Sequence, residues 1–396
     1  MNSYKAGDLN YSRFDDRYTF VSERGKAQPG SRYHKDGLYW KKDGSNDSQT
    51  ATILCAGDLM CEPLMSEACY FNGTYFFEPC FKQVRKVFQE GDLNLANLET
   101  MVTDDFPYAH DMHICEQDGK ARYHCNAPTE YLRALRYAGF DGFAQANNHD
   151  ADCGYEGILD TIKNLDDRGF MHTGLFTSPE DSRVLLIEVN GIKLAVLSYT
   201  EFVNRNFAEI TLTEEGRDVM LNYIDDKKIK KDVAEAKAKG AEFILAYVHF
   251  HGLQYSNYIL DRTRAMGQLI ADCGVDIIMG SHMHAIQGYE VLKAADNRRV
   301  PVIYSLSNFI SSDPVTTTHD SLIFRLILAR DENGKVVIAK ESYVPCHLVV
   351  GYQKSSFVVF PTTNKYIDYP ALGTTELFDA GNRAAGNIGF DLEREI

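Results

Sequence analysis

The sequence has few of the features that mark membrane-spanning, exported or nucleic-acid-binding proteins. No run approaches the roughly 18 uninterrupted apolar residues expected of a membrane-spanning helix, and residues 1–20 have neither the basic start nor the apolar core of an export signal. Lys and Arg total only 41 against 56 Asp and Glu, and the resulting net charge of −15 would repel a nucleic-acid backbone. We therefore expect a soluble protein of the cytoplasm that does not bind nucleic acid.

The cysteines follow no recognised disulfide or zinc-binding pattern. There are 9 of them, an odd number, and none forms a Cys-x-x-Cys pair. They predict neither a disulfide framework nor a zinc site built on thiolates. Many of them are expected to be buried as small apolar side chains.

The chain is long and apolar enough for one large core or two ordinary ones, with 396 residues of which 44% are hydrophobic. Residues 1–50 are polar and end in the linker-like "KKDGSNDSQT", so they are predicted to be an N-terminal extension. Residues 51–345 form the predicted main domain. Residues 346–396 are predicted to be a C-terminal extension that packs on this domain.

Short apolar runs alternate with helical patterns along the main domain. Runs such as "TILCAG" and "EFILAYV" predict strands, and "VLLIEVNGIKLAVLSY" predicts a hairpin around Asn190-Gly191. Helices are predicted at about 78–90, from a capping Thr129 to Gly139, at about 226–239 and at about 258–273.

Five apolar runs are followed at once by residues that bind metals or transfer protons. These residues are Asp58, Glu99, the group Asn148, His149 and Asp150, the pair His249 and His251, and the pair His282 and His284. The carboxyl ends of strands are where sheets assemble sites from distant parts of a chain. Carboxylate, amide and imidazole ligands without thiolate suit Mn, Fe or Zn, and two such ions could share one bridging carboxylate.

The pair His282 and His284 in "GSHMH" is the most unusual of these groups. If the strand before them continues, both side chains point to the same side, and each could serve one ion of a pair. Two histidines near a strand end are, taken alone, more often polar residues satisfied by backbone hydrogen bonds. Their combination with Asp58, Glu99 and Asn148 favours metal binding.

A series of motifs resembles those of a known family. In order they are "GDLM", "NLE", "NNHDADCGYEG", a histidine at the end of a strand, "GSHMHAIQGYE" and "YSLSNFI". Over roughly residues 51–313 they look like the bacterial capsule-synthesis family of the CapA/PgsA type, a branch of the calcineurin-like metallophosphoesterases. The resemblance implies an α+β fold in which two β-sheets pack face to face between helices, as a four-layer α/β/β/α sandwich.

The resemblance also implies roles for the candidate residues. It implies these metal ligands: Asp58 for one ion, Glu99 as the bridging carboxylate, Asn148 for the other ion, and His249, His282 and His284 as the remaining ligands. His149 would donate a proton to the leaving oxygen, and Asp150 or Asp152 would orient its ring. His149 and Asp150 are therefore the catalytic candidates.

Two positions depart from the family pattern. Met60 stands where metallophosphoesterases usually have a histidine, and its thioether is a poor ligand for a hard divalent ion. The chain reads His249-Phe250-His251-Gly252 where many relatives have His-Trp-Gly, so either histidine could bind metal, and the length of the strand before them favours His249.

Three residues are candidates for contacts with an anionic substrate. His251 would contact metal or substrate, or lie at the rim of the site. Arg122 and His124, in "ARYHCNAP", would hold an anionic group if they face the cleft. The alternative for these two is a solvated strand face.

The predicted reaction is phosphoester hydrolysis. Two divalent ions would activate a water for attack on phosphorus and neutralise the developing charge. The expected substrate is a small phosphorylated metabolite or nucleotide. Two alternatives use the same site: a non-hydrolytic part in making an anionic polymer such as poly-γ-glutamate, and hydrolysis of a γ-glutamyl amide bond.

Overall fold

The strands of the protein form two large sheets. The computed structural model describes residues 17–22, 25–26, 39–44, 48–106, 108, 113–114, 121–122, 124–204, 211–351, 355–366, 374–389 and 392–395. Over these described residues each sheet has nine strands, and the two are called here the first and the second sheet.

The first sheet is parallel at its centre. One edge strand pairs antiparallel, and towards the other edge the pairing is antiparallel except for one parallel pair, Leu185–Val189 with Tyr39–Lys42. In spatial order its strands are Ile286–Lys293, Arg299–Leu306, Ile277–Ser281, Phe243–His249, Ile192–Thr200, Leu185–Val189, Tyr39–Lys42, Tyr18–Ser22 and Gly25–Lys26. The predicted hairpin is confirmed, because Leu185–Val189 and Ile192–Thr200 pair antiparallel around Asn190 and Gly191. Both turn residues have positive φ, 49° and 82°, as a tight type I′ turn requires.

The second sheet carries the first predicted strand at its centre. In spatial order its strands are Met171–Thr173, Gly142–Ala144, Leu93–Leu98, Thr50–Leu59, Asp320–Arg330, Val336–Val350 and Phe357–Pro361, with Asn308–Ile310 beside Thr50–Leu59 and Glu393–Arg394 beside Val336–Val350. The first four of these strands are parallel. Their carboxyl ends therefore point to one edge of the sheet.

Short strand pairs and helices complete the described chain. The pairs are Tyr70–Phe71 with Thr74–Tyr75, Met101–Val102 with Asn126–Ala127, and His113–Ile114 with Ala121–Arg122. The helices are Pro63–Cys69, Glu78–Phe81, Arg85–Phe88, Glu130–Ala138, Gly154–Asp167, Glu214–Met220, Asp226–Ala238, Asp261–Asp272 and Thr374–Ile388, with a 3-10 turn at Thr316–Thr318. Among the described helices, none is both long and apolar enough to cross a membrane.

One predicted helix and one predicted helix cap need correction. The helix expected over 78–90 is two short helices, Glu78–Phe81 and Arg85–Phe88. Thr129 precedes the helix Glu130–Ala138, but its hydroxyl donates to Asp104 Oδ2 at 2.9 Å and does not cap the helix. The end of that helix is as predicted, with a glycine in the left-handed region at φ 112°.

Buried side chains divide the molecule into four layers. Leu95 of the second sheet and Leu245 of the first lie in one hydrophobic cluster between the sheets. Leu132, from a helix, packs on the outer face of the second sheet, and Ile229, from another helix, packs on the outer face of the first. This arrangement confirms the predicted α+β fold, a four-layer α/β/β/α sandwich.

Segments beyond the predicted main domain take part in both sheets. Tyr39–Lys42 pairs with Leu185–Val189 and continues the first sheet. Val336–Val350 crosses the boundary predicted at residue 345, and the helix Thr374–Ile388 packs against this strand. The division into residues 1–50, 51–345 and 346–396 stays a prediction.

Candidate metal centre

The structure brings the six side chains predicted as metal ligands to one place, at the carboxyl ends of strands from both sheets. Asp58 lies near the end of Thr50–Leu59 and Glu99 follows Leu93–Leu98, both in the second sheet, whereas His249 ends a strand of the first sheet. All six predicted ligands are buried: Asp58, Glu99, Asn148, His249, His282 and His284.

Glu99 occupies the middle of this group. The ligand atoms of Glu99, His282 and His284 all lie within 4.8 Å of one another, and so do those of Asp58, Glu99 and His249. His249 Nε2 is 3.5 Å from Glu99 Oε1, and His284 Nδ1 is 3.8 Å from Asp58 Oδ2. Because Glu99 belongs to both groups, its carboxylate lies where a ligand shared by two ions would have to lie.

Within the described part of the chain, two buried polar atoms at this centre have no hydrogen-bond partner. Glu99 Oε1 and His282 Nδ1 find no hydrogen-bond partner among the described residues. Leaving a buried polar group unpaired costs about 1–3 kcal/mol, and a bound cation would remove that cost for both atoms. The oxygen and nitrogen donors present are the types that Mn, Fe and Zn accept. These residues therefore fit a centre for divalent metal ions.

Burial shifts the pKa values of the predicted ligands. Burial raises the pKa of Asp58, and burial together with the neighbouring Asp58 charge raises the pKa of Glu99 well above its ordinary value. Burial and the neighbouring histidines lower the pKa of His249 and of His282 well below the ordinary value. Both imidazoles are thus neutral near pH 7, which is the form that binds metals.

The backbone at His282 and His284 differs from the expected strand. The strand Ile277–Ser281 ends before them, and their φ angles are 92° and 56°, in the left-handed region. The turn still presents both imidazoles to the same place, with ring centroids 5.8 Å apart. Non-glycine residues in sparsely populated backbone regions cost about 1–3 kcal/mol each and cluster at functional sites.

One amide that the sequence analysis missed lies between the two carboxylates. Asn97 Nδ2 donates to Asp58 Oδ1 at 2.8 Å and to Glu99 Oε2 at 3.4 Å. Asn97 precedes Glu99 by two residues, so the alternation of side chains along a strand was a signal that could have found it.

Two further side chains hold the histidine rings. Asn308 Oδ1 is 2.7 Å from His284 Nδ1, and Ser281 Oγ is 2.8 Å from His249 Nδ1. Both belong to the recognised motifs "YSLSNFI" and "GSHMH", but their partners lie elsewhere along the chain. Such hydrogen bonds set the orientation of a metal-binding imidazole.

His149 lies next to the predicted ligands, and its ring contacts Asp152. His149 Nδ1 is 2.6 Å from Asp152 Oδ2, whereas Asp150 Oδ2 accepts from the backbone N–H of Asn147 at 2.9 Å. Burial acts to lower the pKa of His149, but the charge and hydrogen bond of Asp152 outweigh it, so the pKa is raised. Of the two partners that the sequence left open, the structure thus pairs His149 with Asp152.

The three predicted substrate contacts have different surroundings. His251 is exposed at the rim, where its backbone N–H donates to Glu201 Oε2 at 2.6 Å. His124 is buried, with its ring edge-on to Phe106 at 5.4 Å, and therefore not on a solvated face. Arg122 lies in the strand Ala121–Arg122, and its side chain is outside the described part of the chain.

Two aromatic side chains that the sequence analysis passed over border the histidines. The Phe202 ring is edge-on to His282, with centroids 4.8 Å apart. The Tyr255 ring lies at 26° to the His284 ring, with centroids 5.8 Å apart, and Tyr255 is itself partly exposed. Each of these two histidine rings thus has an aromatic neighbour of its own.

Comparison with known proteins identifies the family. The family model described as "Bacterial capsule synthesis protein PGA_cap" matches residues 52–313, more than half of the chain. The chain belongs to this family. The resemblance read from the motifs is thereby confirmed.

Named relatives and one solved structure are similar over most of the chain. "Capsule biosynthesis protein CapA" of Bacillus anthracis is 27% identical over 317 residues, 78% of this chain and 70% of the relative. "PGA biosynthesis protein CapA" of Bacillus subtilis (strain 168) is 26% identical over 299 residues, 74% of this chain and 71% of the relative. The crystal structure of the calcineurin-like phosphoesterase YfkN from Bacillus subtilis aligns with a TM-score of 0.42 and 12% identity, covering 85% of this chain and 97% of that one.

Proposed function

We propose that this protein is a metal-dependent phosphoesterase with a centre for two divalent ions. The proposed ligands are Asp58, Glu99, Asn148, His249, His282 and His284. The observation that carries the proposal is the convergence of these buried oxygen and nitrogen donors around Glu99 Oε1 and His282 Nδ1, which lack hydrogen bonds among the described residues. The proposed substrate is a small phosphorylated compound, and the ions are Mn, Fe or Zn.

The residues around the centre divide the chemistry between them. Bound ions would supply an activated water and neutralise the charge that develops on phosphorus. Glu99, placed between both groups of donors, would hold the two ions at a fixed separation. His149 would protonate the departing oxygen through Nε2, because its Nδ1 is engaged by Asp152.

A part in capsule polymer synthesis is the second candidate, and the family match favours it. The named relatives are proteins of capsule and PGA biosynthesis. In this role the same centre would bind an anionic polymer without hydrolysis, or would cleave a γ-glutamyl amide bond. The net charge of −15 opposes the approach of a polyanion unless bound cations offset it locally.

Metal analysis combined with a substrate screen tests these candidates. We expect His282→Ala to lower the amount of bound Mn²⁺, whereas His251→Ala, at the rim, serves as the matched control and keeps it. The Mn²⁺-loaded wild type is then screened on phosphomonoesters, phosphodiesters and γ-glutamyl peptides, and we expect turnover of a phosphoester.

Other results of the substrate screen would support a different function. Turnover of γ-glutamyl peptides alone would identify an amidase. Absence of turnover with Mn²⁺ demonstrably bound would contradict hydrolysis, and polymer binding that is present in the wild type and lost in His282→Ala would then support the non-hydrolytic role of this centre.

A further inference from the structure

A second group of metal-binding side chains lies beside the proposed centre. The ligand atoms of Cys125, His149 and Asp152 all lie within 4.8 Å of one another, and all three residues are buried. The six proposed ligands of the first centre include no thiol. Cys125 therefore gives this second group a different chemistry.

Strand pairing brings Cys125 to this position. The strand Asn126–Ala127, which follows it, pairs in parallel with Met101–Val102, and that strand begins two residues after Glu99. The backbone N–H of Cys125 also donates to Asp152 Oδ2 at 2.7 Å. The cysteine is thus tied directly to the carboxylate that contacts His149.

Asp152 has one carboxylate oxygen that the surrounding protein does not use. Its Oδ2 faces both the Cys125 backbone and His149 Nδ1. Its Oδ1 is buried and has no hydrogen-bond partner among the described residues. A buried carboxylate oxygen without a donor is costly, and a bound cation would satisfy it.

We propose that Cys125, His149 and Asp152 form a third metal site, which binds one Zn²⁺ and inhibits the enzyme. Thiolate, imidazole and carboxylate are the usual protein ligands of zinc, with bonds of about 2.0–2.3 Å. Tetrahedral coordination with such bonds separates the ligand atoms by roughly 3.3–3.8 Å. Atoms now up to 4.8 Å apart need to approach by no more than about 1.5 Å, whereas His149 Nδ1 and Asp152 Oδ2, now 2.6 Å apart, need to separate by roughly 1 Å. A water takes the fourth position.

The thiol determines which ion this site selects. On binding, the Cys125 thiol loses its proton to solvent and the thiolate coordinates the ion. Soft thiolate favours Zn²⁺ over Mn²⁺, which prefers oxygen ligands. Because the oxygen and nitrogen donors of the first centre also accept zinc, the third site is identified by the ion whose binding depends on Cys125.

Inhibition follows from the role of His149 and rests on the proposed function. An ion held by His149 and Asp152 would replace the hydrogen bond between them. His149 would then be unable to deliver a proton to the leaving oxygen. Zinc binding itself does not depend on that role.

Cobalt gives a test that is independent of activity. Thiolate bound to Co²⁺ has a strong charge-transfer absorption in the near ultraviolet that oxygen and nitrogen ligands do not produce. We expect Co²⁺ added to the Mn²⁺-loaded wild type to give this band, and expect Cys125→Ser and Cys125→Ala to lack it. Cys346→Ser, which changes another buried cysteine whose thiol contacts Val344 O, is the matched control and should keep the band.

Equilibrium dialysis with zinc provides the second measurement. The wild type should bind one more Zn²⁺ per chain than either Cys125 variant. Cys125→Ser keeps the hydrogen bond from the backbone N–H of residue 125 to Asp152. Its thermal unfolding should therefore match that of the wild type, which would show that the variant is folded.

The possible results test the third metal site and the proposed phosphoesterase function separately. A missing cobalt band in the wild type, or an unchanged band in both Cys125 variants, would overturn the third site. A band without turnover of any phosphoester would support the site and contradict only the phosphoesterase. Where turnover is found, excess zinc should inhibit the wild type by roughly tenfold or more and leave Cys125→Ser active, whereas equal inhibition of both would overturn the inhibitory role.

Discussion

At the scale of single residues, the contact between His149 and Asp152 decides whether the histidine can act as an acid. Both side chains are buried, and the 2.6 Å contact holds His149 Nδ1. The carboxylate also keeps the pKa of His149 raised against the effect of burial. A neutral amide in its place would keep the shape of the side chain but would lose the charge.

We predict that Asp152→Asn lowers kcat of the Mn²⁺-loaded enzyme by about 10²-fold or more, because proton donation by a positioned side chain contributes about that much. Bound Mn²⁺ should stay at the wild-type level, since Asp152 is not among the six proposed ligands. Asp150→Asn is the comparison. Asp150 accepts a hydrogen bond from the Asn147 backbone N–H, whereas it is Asp152 that contacts the His149 ring, and burial raises the pKa of Asp150 well above its ordinary value. The loss of kcat in Asp150→Asn should therefore be at least about tenfold smaller than in Asp152→Asn. Equal losses in both variants would count against this assignment of the proton donor's partner.

The residues of the site differ in how far the sequence could reveal them. Asp58, Glu99 and His249 each follow or end an apolar run, so their types and positions could be read locally. The pairing of Asn308 with His284 could not, because it depends on how a strand of the second sheet is placed against a turn that follows a strand of the first. Contacts between side chains far apart in the chain have no signal in the pattern of either segment.

At the scale of secondary-structure elements, the chain follows its local sequence pattern at the hairpin but not over residues 78–90. Asn190 and Gly191 both adopt positive φ, so the hairpin follows from the turn residues alone and was predicted. The segment 78–90 has a helical pattern, but Phe81, Val84 and Phe88 are all buried in one aromatic cluster. The backbone N–H groups of Val84 and Val87 donate to carbonyls three residues earlier, at 3.2 and 3.0 Å, so tight turns interrupt the helix and the chain forms two short helices.

The helix Asp226–Ala238 carries a buried carboxyl group towards the first sheet. Tyr199 Oη donates to Asp232 Oδ2 at 2.7 Å. Burial raises the pKa of Asp232 from 3.8 to about 6. Because the folded-state pKa exceeds the unfolded one, the protonated form is favoured by folding, and stability decreases as the pH rises through the interval between these two values.

We predict that Asp232→Asn removes this part of the pH dependence. The amide oxygen still accepts from Tyr199, and no charge has to form in the buried site. Across the interval from pH 3.8 to about 6, the wild type should lose at most about 3 kcal/mol of unfolding free energy that the variant keeps. Urea unfolding at several pH values checks this, with Asp261→Asn, at a fully exposed position, as the control. Parallel curves for wild type and Asp232→Asn would refute the prediction.

At the scale of the whole molecule, the N-terminal segment connects the two sheets. Tyr18–Ser22 and Tyr39–Lys42 are strands of the first sheet. Arg17, directly before them, reaches the second sheet, where its Nε and Nη2 pair with Asp141 Oδ1 and Oδ2 at 2.9 and 2.6 Å. The sequence predicted a polar extension here, because the partners of Arg17 lie 74 to 124 residues away and the segment's own pattern is weakly apolar.

The contribution of this connection to the stability of the protein can be measured at the ion pair between Arg17 and Asp141. Asp141 is almost fully buried, and burial raises its pKa while the Arg17 charge opposes that shift. Arg17 Nη1 also donates to Gly91 O at 3.0 Å and Nη2 to Asp92 O at 2.7 Å. The guanidinium thus satisfies a buried carboxylate and two carbonyls at once, which a lysine cannot do.

We predict that Arg17→Ala lowers the unfolding free energy by about 3–5 kcal/mol, because it leaves the Asp141 carboxylate buried without its partner. Arg17→Lys should fall between wild type and Arg17→Ala. Adding Asp141→Asn to Arg17→Ala should recover part of the loss, since the neutral amide no longer needs a buried cation. Urea unfolding of the two single variants and the double variant gives the coupling energy. If the losses of the single variants simply add, the two side chains do not interact, and the N-terminal strands must be held to the second sheet by other contacts.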